Sequence, residues 1–501
     1  MALSETFQAG AAQGHTMIDE KVLVDHGIAS IKPSEEDYTT GTFTYLPDTP
    51  QAERRLTTKI DFMVMPVLGL LYLICFLDRT NIANARLAGL EKDLHMPKTG
   101  FNTALWIFYI PFVLFEVPSN MIMTNPWVRP NLFLGTQTFI LGVLAMSLGL
   151  VKSYQALWGI RFLLGIFETS LPAGATLLIA SYYRKKELPY RFAIFLGFGL
   201  FGSCFSGLLA YAIIELDGHA GLAGWSWIFV IEGLVTIFFS IFVYLFVPHF
   251  PAKNTRLSEN ERERLIARLE AEKGKSKALS NVSWVTVFFD YRIWLMTLLF
   301  FLADISAGSL SSFNPTITSQ LGWTKRRAQV MTMPIWIVGI CGGLLATFLA
   351  GRFNRRYPFV LMAIAVSTTG WALHYAQVQP AGVRYFAQFL ISFGTFICMP
   401  MYIGILTANL RGPKALSFGT AVQFGIGNCA NFVSSNIFIT TQAPKYPVGF
   451  GTALGLTAFA FVVMLFAVFV SLQHNKKIDR KLAALKPGEV LDDQVDYKYV
   501  I

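Results

Sequence analysis

Twelve stretches of mainly apolar residues, each about 20 residues or longer, recur along the 501-residue chain. A helix needs about 20 such residues to cross the hydrocarbon core of a bilayer, and a helix satisfies its own backbone polar groups in lipid. The sequence therefore predicts an all-α membrane protein with twelve transmembrane helices. The predicted segments are 60–88, 101–122, 131–151, 155–180, 191–215, 225–247, 289–313, 328–350, 357–376, 383–408, 416–440 and 450–472.

The composition supports this interpretation and argues against a nucleic-acid partner. Hydrophobic residues make up 53% of the chain and charged residues 14%, whereas soluble proteins carry about 25% charged residues. The net charge is +10, but the basic residues cluster in short loops between apolar stretches, a pattern typical of membrane topology. We expect the lipid bilayer to surround the protein, and we expect it to bind no nucleic acid.

The residue types that usually hold metals or cofactors are not arranged for that purpose. All the cysteines (Cys75, Cys204, Cys341, Cys398 and Cys429) fall inside apolar segments without a CxxC pair, which predicts neither a disulfide framework nor a zinc site. The sequence also lacks an HExxH motif, a phosphate-binding loop and a recognisable Ser/His/Asp arrangement. We predict that the protein is not an enzyme and uses no metal or cofactor.

A charged loop of about 40 residues divides the predicted helices into six and six. Within it, Ser258 and Glu261 have the spacing of a capping box, which predicts a short surface helix over 259–272. The resulting division is a cytoplasmic N-terminal tail 1–58, an N-terminal six-helix bundle 59–250, a cytoplasmic central loop 251–288, a C-terminal six-helix bundle 289–473 and a cytoplasmic C-terminal tail 474–501.

The distribution of lysine and arginine predicts the orientation. With both termini inside, the inner loops carry more of these residues than the outer loops, among them Arg129, Arg184 and Arg352. The positive-inside rule then favours cytoplasmic termini, and we expect the plasma membrane. The basic cluster 325–327 runs against the rule. It is either an outer surface that attracts anions or an incidental surface run.

Four charged residues, Asp78, Arg79, Arg161 and Glu168, fall inside apolar segments. A charge in hydrocarbon costs about 2.5–3.5 kcal/mol on insertion scales and usually marks a substrate or ion path. Arg161 and Glu168 are seven residues apart, which places them on one face of a helix. An arginine presents a planar fork of donors to a carboxylate, and carboxylates beside arginines exchange protons when their surroundings change.

Two roles for these charges therefore stay open. In the functional interpretation, Arg79 and Arg161 bind the substrate anion and Asp78 and Glu168 carry the coupling protons. In the structural one, the four charges pair permanently and hold two helices together.

Amide side chains in the apolar segments form a second candidate group. Asn81 and Asn84 lie just beyond the Asp–Arg pair, and the predicted helix at 416–440 carries Gln423, Asn428 and Asn431. Polar groups at membrane depth must face protein or water. We predict that these five residues line the substrate cavity. The alternative is that they form hydrogen bonds between helices.

Several runs of sequence resemble one family of transporters. Residues 76–85 (FLDRTNIANA) resemble the helix-one signature of the fungal allantoate permeases, which are anion:cation symporters of the major facilitator superfamily. Residues 161–168, 224–233 and 423–436 resemble the helix-four, helix-six and helix-eleven regions of that family. The resemblance extends over roughly 59–475, and the motifs keep their order.

The resemblance implies a fold and roles for individual residues. It implies the major facilitator fold, built from two six-helix bundles, and a monomer. Related sugar-acid symporters have an Asp–Arg pair that matches Asp78 and Arg79, and an Arg and a Glu seven apart that match Arg161 and Glu168. In those proteins the helix-one arginine holds the substrate carboxylate and the acidic residues take protons. Relatives are described as carrying allantoate, nicotinate, pantothenate, biotin and other small organic anions.

Residues and resemblance together predict a secondary active transporter. The expected activity is proton-coupled import of a small organic anion, a carboxylate such as a vitamin, a ureide or a sugar acid, by alternating access between the two halves. Export of an acidic metabolite is the alternative, and a nutrient receptor without transport is a third possibility.

Overall fold

The structure is a computed structural model that describes residues 50–125, 127–184, 187–277, 284–353, 355–410, 413–483 and 499. Contacts divide the chain into two units, 1–59 and 60–501. Most of the predicted tails 1–58 and 474–501 lies outside the described residues.

The part of the chain before the central loop forms mainly long helices, and we refer to it as the N-terminal half. Proline begins two of these helices, where its missing N–H is not needed. The helices are α1 Pro50–Leu87, α2 Leu90–Asp93, α3 Gly100–Thr124, α4 Pro130–Leu148, α5 Tyr154–Glu168, α6 Ser170–Tyr182, α7 Leu188–Ile213 and α8 Gly224–Phe246, with 3₁₀ turns at Ile214–Leu216 and His219–Gly221.

The central loop and the part after it, the C-terminal half, are also helical. A 3₁₀ turn at Pro251–Lys253 precedes the loop helix, and another lies at Thr440–Gln442. The helices are α9 Glu259–Lys277, α10 Trp284–Phe288, α11 Tyr291–Ser319, α12 Lys325–Met331, α13 Met333–Phe353, α14 Tyr357–Tyr375, α15 Ala381–Asn409, α16 Pro413–Asn428, α17 Ala430–Ile437 and α18 Pro447–Ala483.

Nine helices in the described residues are long and apolar enough to cross a membrane. The prediction of an all-α membrane protein is thereby confirmed. Three further predicted segments, now α3, α14 and the pair α16–α17, are helical but fall outside the nine. The pair is interrupted at Cys429, and twelve crossings stay a prediction.

The predicted helix of the central loop is confirmed and extends further than expected, over Glu259–Lys277. Its capping box forms in both directions: the Ser258 backbone N–H donates to the Glu261 carboxylate (2.9 Å), and the Glu261 N–H donates to Ser258 Oγ (3.4 Å). The fully buried side chain of Arg268 pairs with Glu187 at 3.2 Å. Since Glu187 directly precedes α7, this ion pair connects the loop helix α9 to the N-terminal half.

The two halves meet where α1 and α7 end and α3 begins, a region we call the contact end. Asn102 Nδ2 donates to the backbone oxygens of Ser435 (2.6 Å) and Phe438 (3.2 Å). A Cβ on Gly207 would lie 2.4 Å from the backbone oxygen of Gln329. Backbones of opposite halves therefore approach closely here, which glycine allows.

Glycine also sets the spacing between α3 and α5. A Cβ at Gly165 would lie 2.1 Å from the backbone oxygen of Phe108, whereas one at Gly159 would meet nothing within 4 Å. Because a backbone atom cannot rotate away, a side chain at 165 must push the helices apart.

We predict that Gly165→Ala lowers stability by about 1–3 kcal/mol, the usual cost of overpacking. Gly159→Ala is the matched control, and it should be neutral or slightly stabilising, since alanine is the better helix former. Thermal unfolding in detergent, followed by tryptophan fluorescence, measures both. Equal midpoints for the two variants would contradict the close approach of α3 and α5.

Candidate functional site

Two of the predicted charges form an ion pair inside the N-terminal half. Arg79 Nε of α1 donates to Glu168 Oε1 at the end of α5, at 2.5 Å. The Glu168 side chain has no exposed surface, whereas that of Arg79 keeps 14%. Of the two side chains, only that of Arg79 is therefore partly exposed, and charge-assisted hydrogen bonds of this kind are the strong ones.

The position of Glu168 follows from a break in the helix. Helix α5 ends at Glu168 and α6 resumes at Ser170. Between them, Thr169 Oγ1 donates to the backbone oxygen of Phe112 at 2.8 Å. Arg161 and Glu168 are both buried on the same face of α5, as their seven-residue spacing predicts. The break is thus fixed against α3, with the carboxylate directed toward Arg79.

Aromatic rings of α1 and α3 surround the guanidinium of Arg79. Its central carbon lies 4.6 Å from the ring centre of Phe112, 5.5 Å from Phe76 and 5.7 Å from Phe108. That of Arg161 lies 6.0 Å from the ring of Phe108. Cation–π attraction contributes about 0.5–2 kcal/mol per contact. The rings therefore stabilise both cations without neutralising them.

Asp78 lies beside these groups without a hydrogen bond. The residue is 2% exposed, and neither carboxyl oxygen has a hydrogen-bond partner among the described residues. It interacts electrostatically with Arg161 and Arg79. A buried carboxyl group without a hydrogen bond is costly in its charged form, and the proton-carrying role of Asp78 stays a prediction.

The two asparagines beyond this pair bond to neighbouring helices. Asn81 Nδ2 donates to the carboxyl group of Glu232 in α8, and Asn84 Nδ2 donates to Ser206 Oγ in α7 at 2.8 Å. Both asparagines are buried. Both contacts are hydrogen bonds between helices, which the sequence analysis gave as the alternative to lining a cavity. The role of Asn81 and Asn84 in substrate binding stays a prediction.

Two of the predicted amides of the C-terminal half, Gln423 and Asn431, form hydrogen bonds to α11. Gln423 Nε2 donates to the backbone oxygen of Met296 at 3.3 Å. Asn431 Nδ2 donates to Asp304 Oδ2 at 3.0 Å and to the backbone oxygen of Asn428 at 3.2 Å. Asn428 is half-buried, and in this hydrogen bond the acceptor is its backbone oxygen rather than its side chain. These bonds position α16 and α17 against α11.

Sequence reasoning missed two acidic residues near Arg79. Asp304 lies in α11 and is 9% exposed, and Glu116 lies half-buried in α3. Both interact electrostatically with Arg79. The signal that singled out Asp78, a charged residue inside an apolar segment, is present at both positions and would have found them.

A ring contact links the two halves beside this cluster. Tyr109 of α3 lies 6.3 Å from Phe112, the ring nearest Arg79, and 6.4 Å from Phe432 of α17. Phe432 follows Asn431, the partner of Asp304. Arg79 thus belongs to the N-terminal half and Asp304 to the C-terminal half, and both are members of one cluster of charged groups. The cluster contains the carboxyl groups of Asp78, Glu116, Glu168, Glu232 and Asp304 and the guanidinium groups of Arg79 and Arg161.

In the described part of the chain, no group of three or more His, Cys, Asp or Glu side chains could hold a metal ion. The arrangement is a bundle of long apolar helices with charged groups buried between them. The family model of the Major Facilitator Superfamily matches residues 68–427, and the chain belongs to that superfamily. Its members are transporters, not enzymes.

Curated relatives match most of the chain. The MFS-type transporter cnsO of Penicillium expansum is 31% identical over 477 residues, which are 90% of this chain and 91% of the relative. The high-affinity nicotinic acid transporter of Saccharomyces cerevisiae is 27% identical over 452 residues, 89% of this chain and 82% of the relative. The allantoate permease subfamily stays a prediction.

Solved structures share the fold. A bacterial homolog of the human lysosomal transporter Spinster, in an inward-facing and occupied conformation, superposes with a TM-score of 0.63 at 14% identity, over 85% of this chain and 98% of that one. The xylose transporter XylE from E. coli, in a partially occluded inward-open conformation, gives 0.60 at 14% identity, over 81% and 98%.

We predict that Arg79 and Glu168 are energetically coupled. Removing one partner of a buried pair leaves the other charge uncompensated, which costs about 3–5 kcal/mol. The double variant Arg79→Met/Glu168→Gln should therefore lose less stability than the two single variants together, by about 1–3 kcal/mol. Thermal unfolding in detergent measures the four proteins of the cycle.

The control for this cycle is the surface pair Arg262–Glu259 of α9, at 3.4 Å with side chains 32% and 78% exposed. Exposed pairs of this kind contribute at most about 0.5 kcal/mol. Coupling in the inner pair no larger than in this one would contradict the proposed importance of the buried contact.

Proposed function

We propose that the protein imports a small organic anion together with protons, by alternating access between its two halves. The observation that carries the proposal is the Arg79–Glu168 contact, in which a partly accessible guanidinium is paired with a carboxyl group that has no exposed surface. A substrate carboxylate that enters the site can reach the cation without first reaching its partner.

Arg79 has bonding capacity left for such a substrate. The contact to Glu168 uses Nε, and Nη2, which is buried, has no hydrogen-bond partner among the described residues. Arginine binds carboxylates through two parallel hydrogen bonds. When the substrate carboxylate takes this position, two anions compete for one cation, and protonation of Glu168 relieves the repulsion. Substrate binding and proton binding then support each other.

The balance of charge in the cluster favours the same coupling. The cluster holds five carboxyl groups and two guanidinium groups. Full ionisation would leave a buried excess of negative charge, which is expensive at low dielectric. Protons are the simplest compensation, and Asp78, with no hydrogen bond to either oxygen, is the second carrier that we propose beside Glu168.

The contact end supports alternating access. The halves bond to one another there through Asn102 and the backbone of Ser435 and Phe438. With cytoplasmic termini, which are part of this proposal, the contact end faces outward and the site opens inward. Rocking of the halves about a central site is the usual mode of such transporters.

The named substrate of one relative agrees with this substrate class. The nicotinic acid transporter of Saccharomyces cerevisiae carries a small carboxylic acid by name. We propose a substrate of the same chemical kind here, taken up across the plasma membrane by a monomer.

Uptake into vesicles of purified protein tests the proposal. With a panel of labelled vitamins, ureides and sugar acids, we expect accumulation that, at zero membrane potential, rises about tenfold per unit of inward pH gradient for each coupled proton, since one pH unit corresponds to 1.36 kcal/mol. Accumulation that ignores the pH gradient contradicts proton coupling. Loss of preloaded substrate driven by the gradient, without net uptake, would instead indicate export.

Three variants assign the residues. Arg79→Ala should reduce uptake at least about 30-fold, the lower limit for loss of a buried charged partner. Glu168→Gln should abolish gradient-driven accumulation and spare substrate exchange, because exchange needs no net proton movement. Arg480→Ala, at an exposed position of α18, is the control and should retain full uptake.

Size-exclusion profiles of each variant confirm that folded protein is compared. Full uptake by folded Arg79→Ala would overturn the site.

A further inference from the structure

A groove of about 380 Å³ lies at the turn between α3 and α4. Its lining includes Trp127, Arg129, Leu132, Phe133 and Gln137. The volume falls within the range of small-ligand sites, about 300–1,000 Å³. Because α4 begins at Pro130 and is one of the helices long and apolar enough to cross a membrane, the groove lies at one edge of the span.

Exposed apolar side chains adjoin the groove. Trp127 is 91% exposed, and tryptophan at the end of a membrane span is typical of the interface between headgroups and hydrocarbon. Leu132 and Phe139 are also exposed, and their seven-residue spacing places them on one face of α4. An apolar surface therefore leads from the groove along the helix, and a ligand of the groove can carry hydrocarbon chains.

A cationic patch, formed by Arg129, Lys253 and Arg256, lies between the start of α4 and the loop that follows α8. Burial lowers the pKa of His249 in that loop, and the charges of these three residues lower it further. In the described part of the chain, the charges that act on His249 are all positive. Several cations close together raise the local concentration of anions.

Arg129 is the member of the cationic patch that lines the groove. Arg256 is occupied elsewhere, because its Nη1 donates to the backbone oxygen of Phe246 at 2.7 Å and its Nη2 to that of Leu245. Arg129 is exposed, and its side chain forms neither an ion pair nor a hydrogen bond among the described residues. It is therefore available to a phosphate, which arginine can bind through two parallel hydrogen bonds.

The groove also contains an acceptor that lacks a donor. Gln137 Oε1 is buried and has no hydrogen-bond partner in the part of the chain that the structure describes. A buried acceptor left unsatisfied costs stability, and a hydroxyl group of a ligand would satisfy it. Cation, acceptor and apolar surface together fit an amphiphile whose head carries a phosphate and hydroxyl groups.

We propose that this groove binds the headgroup of an anionic phospholipid, with the phosphate on Arg129, a headgroup hydroxyl on Gln137 and the acyl chains along the apolar face of α4. A free anion would gain only the polar contacts, and a zwitterionic lipid carries a second charge that the cationic patch repels. The inference involves neither the transported substrate nor protons, so it stands independently of the proposed function.

Lipid binding to the purified, delipidated protein tests the proposal. Dioleoyl phosphatidylglycerol and dioleoyl phosphatidylcholine have the same chains, but only the glycerol headgroup has a net negative charge and hydroxyl groups. Native mass spectrometry measures the affinity for the first lipid bound. We expect phosphatidylglycerol to bind at least about 10-fold more tightly than phosphatidylcholine, the lower limit for a hydrogen bond to a charged group.

Substitutions assign this preference to the groove. Arg129→Gln should reduce it to about twofold or less, whereas Arg129→Lys, which keeps the charge, should retain most of it. Arg355→Gln is the matched control, since Arg355 is exposed in the loop between α13 and α14, and it should keep the full preference. An unchanged unfolding midpoint in lipid-free detergent shows that Arg129→Gln is folded.

Three results would overturn the inference. If the unaltered protein binds both lipids equally, the groove does not select a charged headgroup. If Arg355→Gln loses as much of the preference as Arg129→Gln, the attraction is spread over the surface and the groove is not a site. If glycerol 3-phosphate displaces phosphatidylglycerol at equal concentration, the groove binds a free phosphate and the assignment to a lipid is wrong.

Discussion

A guanidinium and a carboxyl group that meet away from water are the constraint on which the rest of the site depends. At 2.5 Å from Glu168, Arg79 is neutralised well enough to stay in an apolar bundle, and the rings of Phe76, Phe108 and Phe112 surround it. In the function proposed above, a substrate anion has to disturb the same contact. Under that proposal, both the stability of the protein and its transport activity depend on this one pair of side chains.

The sequence singled out both residues of this pair because charges are rare in apolar segments and each one is conspicuous, but it left open whether the charges pair with one another. The partners of the amides could not be predicted in the same way. Whether Asn84 meets Ser206 or a cavity depends on the rotation of α1 and α7 about their axes, which apolar periodicity does not define when every face is apolar. Asp304 was missed although the same signal marks it. The number of crossings depends on helices such as α14, where length and polarity leave the assignment open.

The two halves contribute different numbers of acidic and basic residues to the site. Asp78, Glu168 and Glu232 belong to the N-terminal half together with both arginines, whereas Asp304 stands with Asn431 in the other half. The N-terminal half can therefore compensate charge internally, whereas the described part of the C-terminal half contributes Asp304, which Asn431 orients, to the cluster.

The contact end has a mechanical consequence. The halves are joined there by the Asn102 amide, by backbone oxygens and by the close approach of Gly207 to Gln329, and the charged group at this seam, Arg86, rests 5.7 Å from the ring of Phe313. Hydrogen bonds and close packing weaken steeply once their atoms separate beyond contact distance. In the proposed alternating access, most of the work of separating the halves at this end is therefore done at the start of the movement.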